Sequence, residues 1–188
     1  MGKKAKPIIV ILIMAILIGG YYFYLSNKVE SNESKEVATA VQNVILKDLD
    51  KNYPPTPKEV VKYYSDISKC LYNEKYSDEQ LEKMADKLLA IYDDELVANN
   101  PREDYIKNLK KDVEEFKDNS YTISTYTPSS STDVKEYTVA GRECAELYCT
   151  YTIRTGAEYS NNLQRFILRR DVETKHWKIL GFDVPVEE

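Results

Sequence analysis

The period of the apolar residues changes near Asn119, and this restricts the fold more than any other feature of the chain. Before it, apolar side chains recur every three or four positions, the spacing of one helix face. The sets are Val37, Val41, Val44 or Ile45 and Leu49; Val60, Tyr64, Ile67 and Leu71; Leu81, Met84, Leu88, Ile91 and Leu96; and Tyr105, Ile106, Leu109, Val113 and Phe116. After it, Tyr, Thr, Val and Ile alternate with polar residues, the signature of strands. The candidate strands are Tyr121 to Tyr126, Val134 to Val139, Ala145 to Arg154, Gln164 to Arg170 and His176 to Phe182. Every helix therefore precedes every strand, which predicts an α+β fold. About four helices should pack on one face of a curved antiparallel meander of four to five strands.

Local signals mark where these helices start and stop. Thr56-Pro57-Lys58-Glu59 and Ser77-Asp78-Glu79-Gln80 each place a capping hydroxyl three residues before a reciprocal side chain, and Asn100-Pro101-Arg102-Glu103 repeats the pattern. Thr56, Ser77 and Asn100 are the expected N-caps. Tyr53-Pro54-Pro55 should stop the first helix, and the third is expected to run to about Asn99. On the last strand a period of two sends Trp177 and Ile179 to the core and His176, Lys178 and Leu180 to the wetter face.

The amino-terminal part is of another kind. Pro7 to Leu25 is an uncharged apolar run that would reach nearly 30 Å as a helix, the thickness of a bilayer's hydrocarbon core. Lys3, Lys4 and Lys6 precede it, while Glu30, Glu33 and Glu36 lie beyond it, so the lysine bias predicts a cytoplasmic N-terminus and an extracytoplasmic domain. A cleaved signal peptide would end in small residues; this run ends in Tyr21, Tyr22, Phe23, Tyr24 and Leu25. A pilin-like subunit would carry an early acid in its apolar helix, and this one has none. The expected organisation is a lysine flank and single-pass signal anchor over 1–28, a short stalk over 29–36, and one extracytoplasmic domain over 37–188. The partners this reading names are the lipid bilayer, through Pro7 to Leu25, and a protein or small ligand outside the membrane.

The same division exposes the charge of the domain. Of 26 Lys and Arg, Lys3, Lys4, Lys6 and Lys28 belong to the anchor; the 22 that remain face 31 Asp and Glu, a net −9 for stalk and domain together. Such a domain is repelled by nucleic acid and anionic lipid unless a local basic patch overrides the average. The candidate patches are Arg165, Arg169 and Arg170, and Lys107, Lys110 and Lys111; both read as solvated faces, and no nucleic acid is expected.

Few residues offer chemistry. The one histidine, His176, could act as a general base but reads as surface at a charged turn, with no spacing that brings it to a serine or cysteine nucleophile. Cys70, Cys144, Cys149 and one histidine match no zinc spacing. Along one strand, Cys144 and Cys149 lie about 16 Å apart, beyond a disulfide's reach, so only Cys70 could pair with either, and an odd count favours buried thiols. Asp93-Asp94-Glu95 and Asp112, Glu114 and Glu115 lack the ligand pattern of a calcium loop and read as solvated helix faces. The 16 tyrosines could stack on sugars, yet those such as Tyr64, Tyr105 and Tyr151 fall at core-periodic positions. No catalytic, cofactor-binding or metal-binding residue, and no cofactor, is assigned.

Arg165-Phe166-Ile167-Leu168-Arg169-Arg170, a charged turn and His176-Trp177-Lys178-Ile179-Leu180-Gly181-Phe182 resemble the closing strands of nuclear transport factor 2-like domains. The resemblance implies an open cone of curved sheet and helices. Tyr53-Pro54-Pro55-Thr56-Pro57-Lys58-Glu59-Val60-Val61 and Ala98-Asn99-Asn100-Pro101 are similar to a family of anchored proteins of Gram-positive anaerobes. Enzymes of the cone fold that resemble ketosteroid isomerase need an acid inside the cone opposite tyrosine donors, and no spacing here identifies such a set. The expected role is a non-catalytic module binding a protein or small ligand outside the membrane. The alternatives are a scaffold subunit of a conjugative or sporulation channel, or a small isomerase- or hydrolase-like enzyme.

Overall fold

A computed structural model describes residues 40–185. The expected anchor Pro7 to Leu25, the stalk and Val37 lie outside the described residues. Among the described residues, no helix is long and apolar enough to cross a membrane. The chain divides into residues 1–40 and residues 41–188, and the second unit is α+β, with its α-helices before its strands and one 3-10 turn, Ser131–Asp133, among the strands.

The first described helix, α1 (residues 40–46), ends before the expected Leu49. Asp48 is the reason: its Oδ1 accepts the backbone N–H groups of Asp50 (3.1 Å) and Lys51 (3.3 Å), a turn that competes with further helix. α2 (Pro57–Asn73) starts as predicted, with Thr56 Oγ1 accepting the Glu59 N–H at 3.3 Å. α3 (Asp78–Ile91) has the full capping box, Ser77 and Gln80 each accepting the other's backbone N–H.

α3 does not reach Asn99. It stops at Ile91 because the next two residues join the sheet: Tyr92 bridges Ile179 in parallel, and the Asp93 N–H donates to the Ile179 carbonyl at 2.8 Å. Asp93 then caps a separate short helix, α4 (Asp94–Ala98), by accepting the Glu95 N–H at 3.0 Å. α5 (Arg102–Asp118) has Pro101, not Asn100, at its N-cap, with no side-chain cap. The Asn100 amide is turned back to donate to the Leu96 carbonyl at 2.8 Å, and so closes the preceding helix.

The strands are β1 (Tyr121–Pro128), β2 (Lys135–Val139), β3 (Arg142–Thr155), β4 (Glu158–Arg170) and β5 (Trp177–Asp183). Both two-residue hairpin turns match their residues. Ala140 and Gly141 have φ of 49° and 77°, the pair a type I′ turn requires, and Gly156 (φ 60°) opens the β3–β4 turn where type II′ needs glycine. The sheet is antiparallel, but not a simple meander: β1 and β2 lie along the same edge of β3, β1 beside 149–155 and β2 beside 142–146. Bulges at Ser124 of β1 and at Leu180 of β5 break the register and bend the strands that carry them.

One face of the sheet is covered. Ile123, Ala145, Leu147, Cys149, Tyr151, Phe166, Leu168, Trp177 and Ile179 are buried there, against Val60, Ile67 and Leu71 of α2, Met84 and Leu88 of α3, and Leu109 and Val113 of α5. α2 is the spine, touching β1, β3, β5, α3 and α5. Trp177 and Ile179 sit in the core as the alternation predicts, 7% and 0% exposed. His176 is not simply surface: its ring stacks on Tyr53 at 3.9 Å and 1°.

Candidate functional site

The inward positions of β4 change character along its length. Leu168 and Phe166 are fully buried, but the next inward positions are Gln164, Asn162 and Ser160, where the helices no longer cover the sheet. The uncovered stretch opens a cleft of about 280 Å³, just below the usual range for small-molecule sites. α2 presents Tyr64, Ser68 and Tyr72, four residues apart and so on one face. Phe116 closes the α5 side, Asn162 and Gln164 supply amides, and Tyr151, Phe182 and Val184 complete the far wall.

An aromatic cluster frames this cleft. The Tyr64 ring meets Phe166 edge-on at 5.2 Å and Phe182 at 5.5 Å, and Tyr72 meets Phe116 at 4.6 Å. The Tyr151 hydroxyl is fixed by Ser65 Oγ at 2.7 Å, and Ser65 in turn donates to the Val61 carbonyl at 2.8 Å. Burial pushes up the phenols of Tyr64, Tyr72 and Tyr151, so all three are neutral at physiological pH. None of the described residues lining the cleft is charged, and they include no carboxylate, histidine or cysteine for proton transfer or nucleophilic attack. The arrangement can hold a molecule by ring contact and amide hydrogen bonds.

The candidates from sequence lie elsewhere. His176 stacks on Tyr53, whose hydroxyl donates to the Trp177 carbonyl at 2.8 Å. Cys70, Cys144 and Cys149 are free and buried. Burial raises the Cys70 thiol to about 11 and also raises Cys149, the opposite of activation. Among the described residues no group of three or more His, Cys, Asp or Glu side chains could hold a metal ion.

Four of the six basic candidates are held in ion pairs. Arg165 meets Asp183, Arg170 meets Glu143 at 2.7 Å, and Arg169 meets both Asp93 and Glu95. Lys110 reaches Asp78 at 3.3 Å, while Lys107 and Lys111 are exposed. Asp93 departs from its expectation as part of a solvated face: it is 4% exposed. Burial by itself would raise its carboxyl, but the Arg169 hydrogen bond, the Glu95 N–H and the charges of Arg169 and Arg142 together hold it below 3.8. Asp112, Glu114 and Glu115 are exposed, as predicted.

Sequence reasoning did not single out Ser68, Tyr72, Asn162, Gln164 or Phe182 as a set. Two signals were present: the four-residue repeat of Tyr64, Ser68 and Tyr72, and the run of polar residues at inward positions of a strand that is otherwise apolar inside.

A family model described as Domain of unknown function (DUF6715) matches residues 1–182, taking in the apolar run and the α+β domain together. No curated protein matches the chain.

Proposed function

We propose a binding role for this chain, which belongs to the family described as Domain of unknown function (DUF6715): a non-catalytic module, held by a single amino-terminal membrane span with its α+β domain outside, that takes an uncharged ligand into the cleft between α2, α5 and the sheet. The reading rests chiefly on one observation, the uncharged, aromatic and amide lining that the described residues give that cleft, in a stalk and domain of joint net charge −9. A charged ligand would leave its charge unpaired against those rings and lose its hydration there. An uncharged one with an apolar face and a polar rim loses little. The likeness to the open cone of nuclear transport factor 2-like domains belongs to the same proposal, and so does the anchor.

Two experiments test it. For the cleft, the full chain in detergent is titrated with an uncharged naphthalene fluorophore. Ser68→Trp, which fills the cleft, should abolish the emission change while leaving far-UV ellipticity intact; an unchanged titration sinks the assignment. For the anchor, protease added to intact protoplasts should remove the domain and spare a tag before Met1. A released protein starting near Tyr21 overturns that part.

A further inference from the structure

β4 is longer than its neighbour on one side. β3 pairs along it from Glu158 to Arg169, but β5 pairs only from Arg165 to Arg170. Among the described residues, the stretch 158–164 therefore has a strand on one side only. Thr155 and Glu158 flank the two-residue turn and bond to each other across it. Alternation then turns the N–H and C=O groups of Tyr159, Asn161 and Leu163 away from β3.

β5 does not continue over this edge. The register Arg165↔Asp183 would place Pro185 opposite Leu163, where the ladder needs an N–H that proline lacks. Edges of this kind normally carry a lysine, a proline or a bulge. Tyr159-Ser160-Asn161-Asn162-Leu163-Gln164 has no lysine or proline, and no bulge interrupts its pairing with β3. Tyr159 and Leu163 are 63% and 43% exposed, four residues apart and so on the same outer face.

We propose that this edge pairs with the same edge of a second copy of the chain, in an antiparallel ladder centred on Asn161. The sequence is complementary to itself in that register. Tyr159 of each copy meets Leu163 of the other, covering the exposed apolar pair; Glu158 meets Gln164, so no two carboxylates oppose. Tyr159, Asn161 and Leu163, whose backbone groups point outward, all fall in hydrogen-bonded pairs. The uncharged strand is also where two acidic domains repel least. On the inner side, Ser160 and Glu158 of the second copy land beside Asn162 and Gln164 of the first, extending the open rim of the cleft. The pairing goes beyond the ligand reading and stands without it.

Engineered cysteines in the full chain in detergent, oxidised by glutathione, test the register; the native thiols are buried. Asn161→Cys places two sulfurs on the two-fold axis, with Cα atoms about 5.5 Å apart, within disulfide reach. Tyr159→Cys alone leaves them about 13 Å apart, so roughly tenfold less dimer is expected. A mixture of Tyr159→Cys and Leu163→Cys should cross-link as well as Asn161→Cys does. Asn161→Pro, which removes only an outward N–H, should reduce the cross-linking of that mixture roughly tenfold, like other edge prolines, with Trp177 emission unchanged. Equal dimer from Tyr159→Cys alone, or none from Asn161→Cys and the mixture while Trp177 emission is native, overturns the proposal.

Discussion

Asp93 does three things at once: it caps α4, anchors the end of α3 to β5 and receives Arg169. Replacing it with Asn leaves Arg169 facing only the exposed Glu95, and the loss should be about 3 kcal/mol, the lower end for a broken buried pair. Because the folded carboxyl lies below 3.8, its contribution is present above that value and is lost as pH falls through the folded pKa. Urea midpoints of parent and Asp93→Asn should therefore differ most at pH 7 and converge in acid; a constant difference would contradict the account. Trp177 and its neighbour make a second contrast. Trp177→Ala should cost about 3–5 kcal/mol by leaving a cavity. His176→Ala should cost about 0.5–1.5 kcal/mol, because it gives up the stack on Tyr53 and not a core position. Thermal unfolding of both variants decides whether this order is right.

At the scale of elements, the caps separate into two kinds. Thr56 and Ser77 receive helix N–H groups, so Thr56→Ala and Ser77→Ala should each cost about 0.5–2 kcal/mol. Asn100→Ala should act instead on α4, through the lost bond to Leu96, and cost about 0.5–1 kcal/mol. Hydrogen exchange checks the assignment: Asn100→Ala should speed exchange in α4 and leave the first turn of α5 unchanged. Faster exchange at Tyr105 and Ile106 would make Asn100 the cap of α5 after all.

For the molecule as a whole, α2 ties both layers together. Ile67 is fully buried on it, and Ile67→Ala should cost about 2–5 kcal/mol. Since α2 touches three strands and two helices, the loss should lower one transition without splitting it. Trp177 fluorescence reports β5 and far-UV ellipticity reports the helices, and in urea the two curves should coincide for parent and variant. Separate midpoints would mean that sheet and helices unfold independently.

The sequence alone determined the class of fold, the order of helices before strands, the starts of α2 and α3, and the inward Trp177 and Ile179 of β5, because each is written in contacts between residues close along the chain. Period and capping are such contacts. The end of α3 was not legible: the apolar repeat continues through Leu96, and only the Ile179 backbone, far away in the chain, draws Tyr92 and Asp93 out of the helix. Tertiary structure also made Asp93 a buried partner, by bringing Arg169 to it. It gathered Tyr64, Ser68, Tyr72, Asn162, Gln164 and Phe182 into one cleft as well. Which polar residues on an inward face stay open depends on where the helices stop covering the sheet, and no local pattern encodes that length.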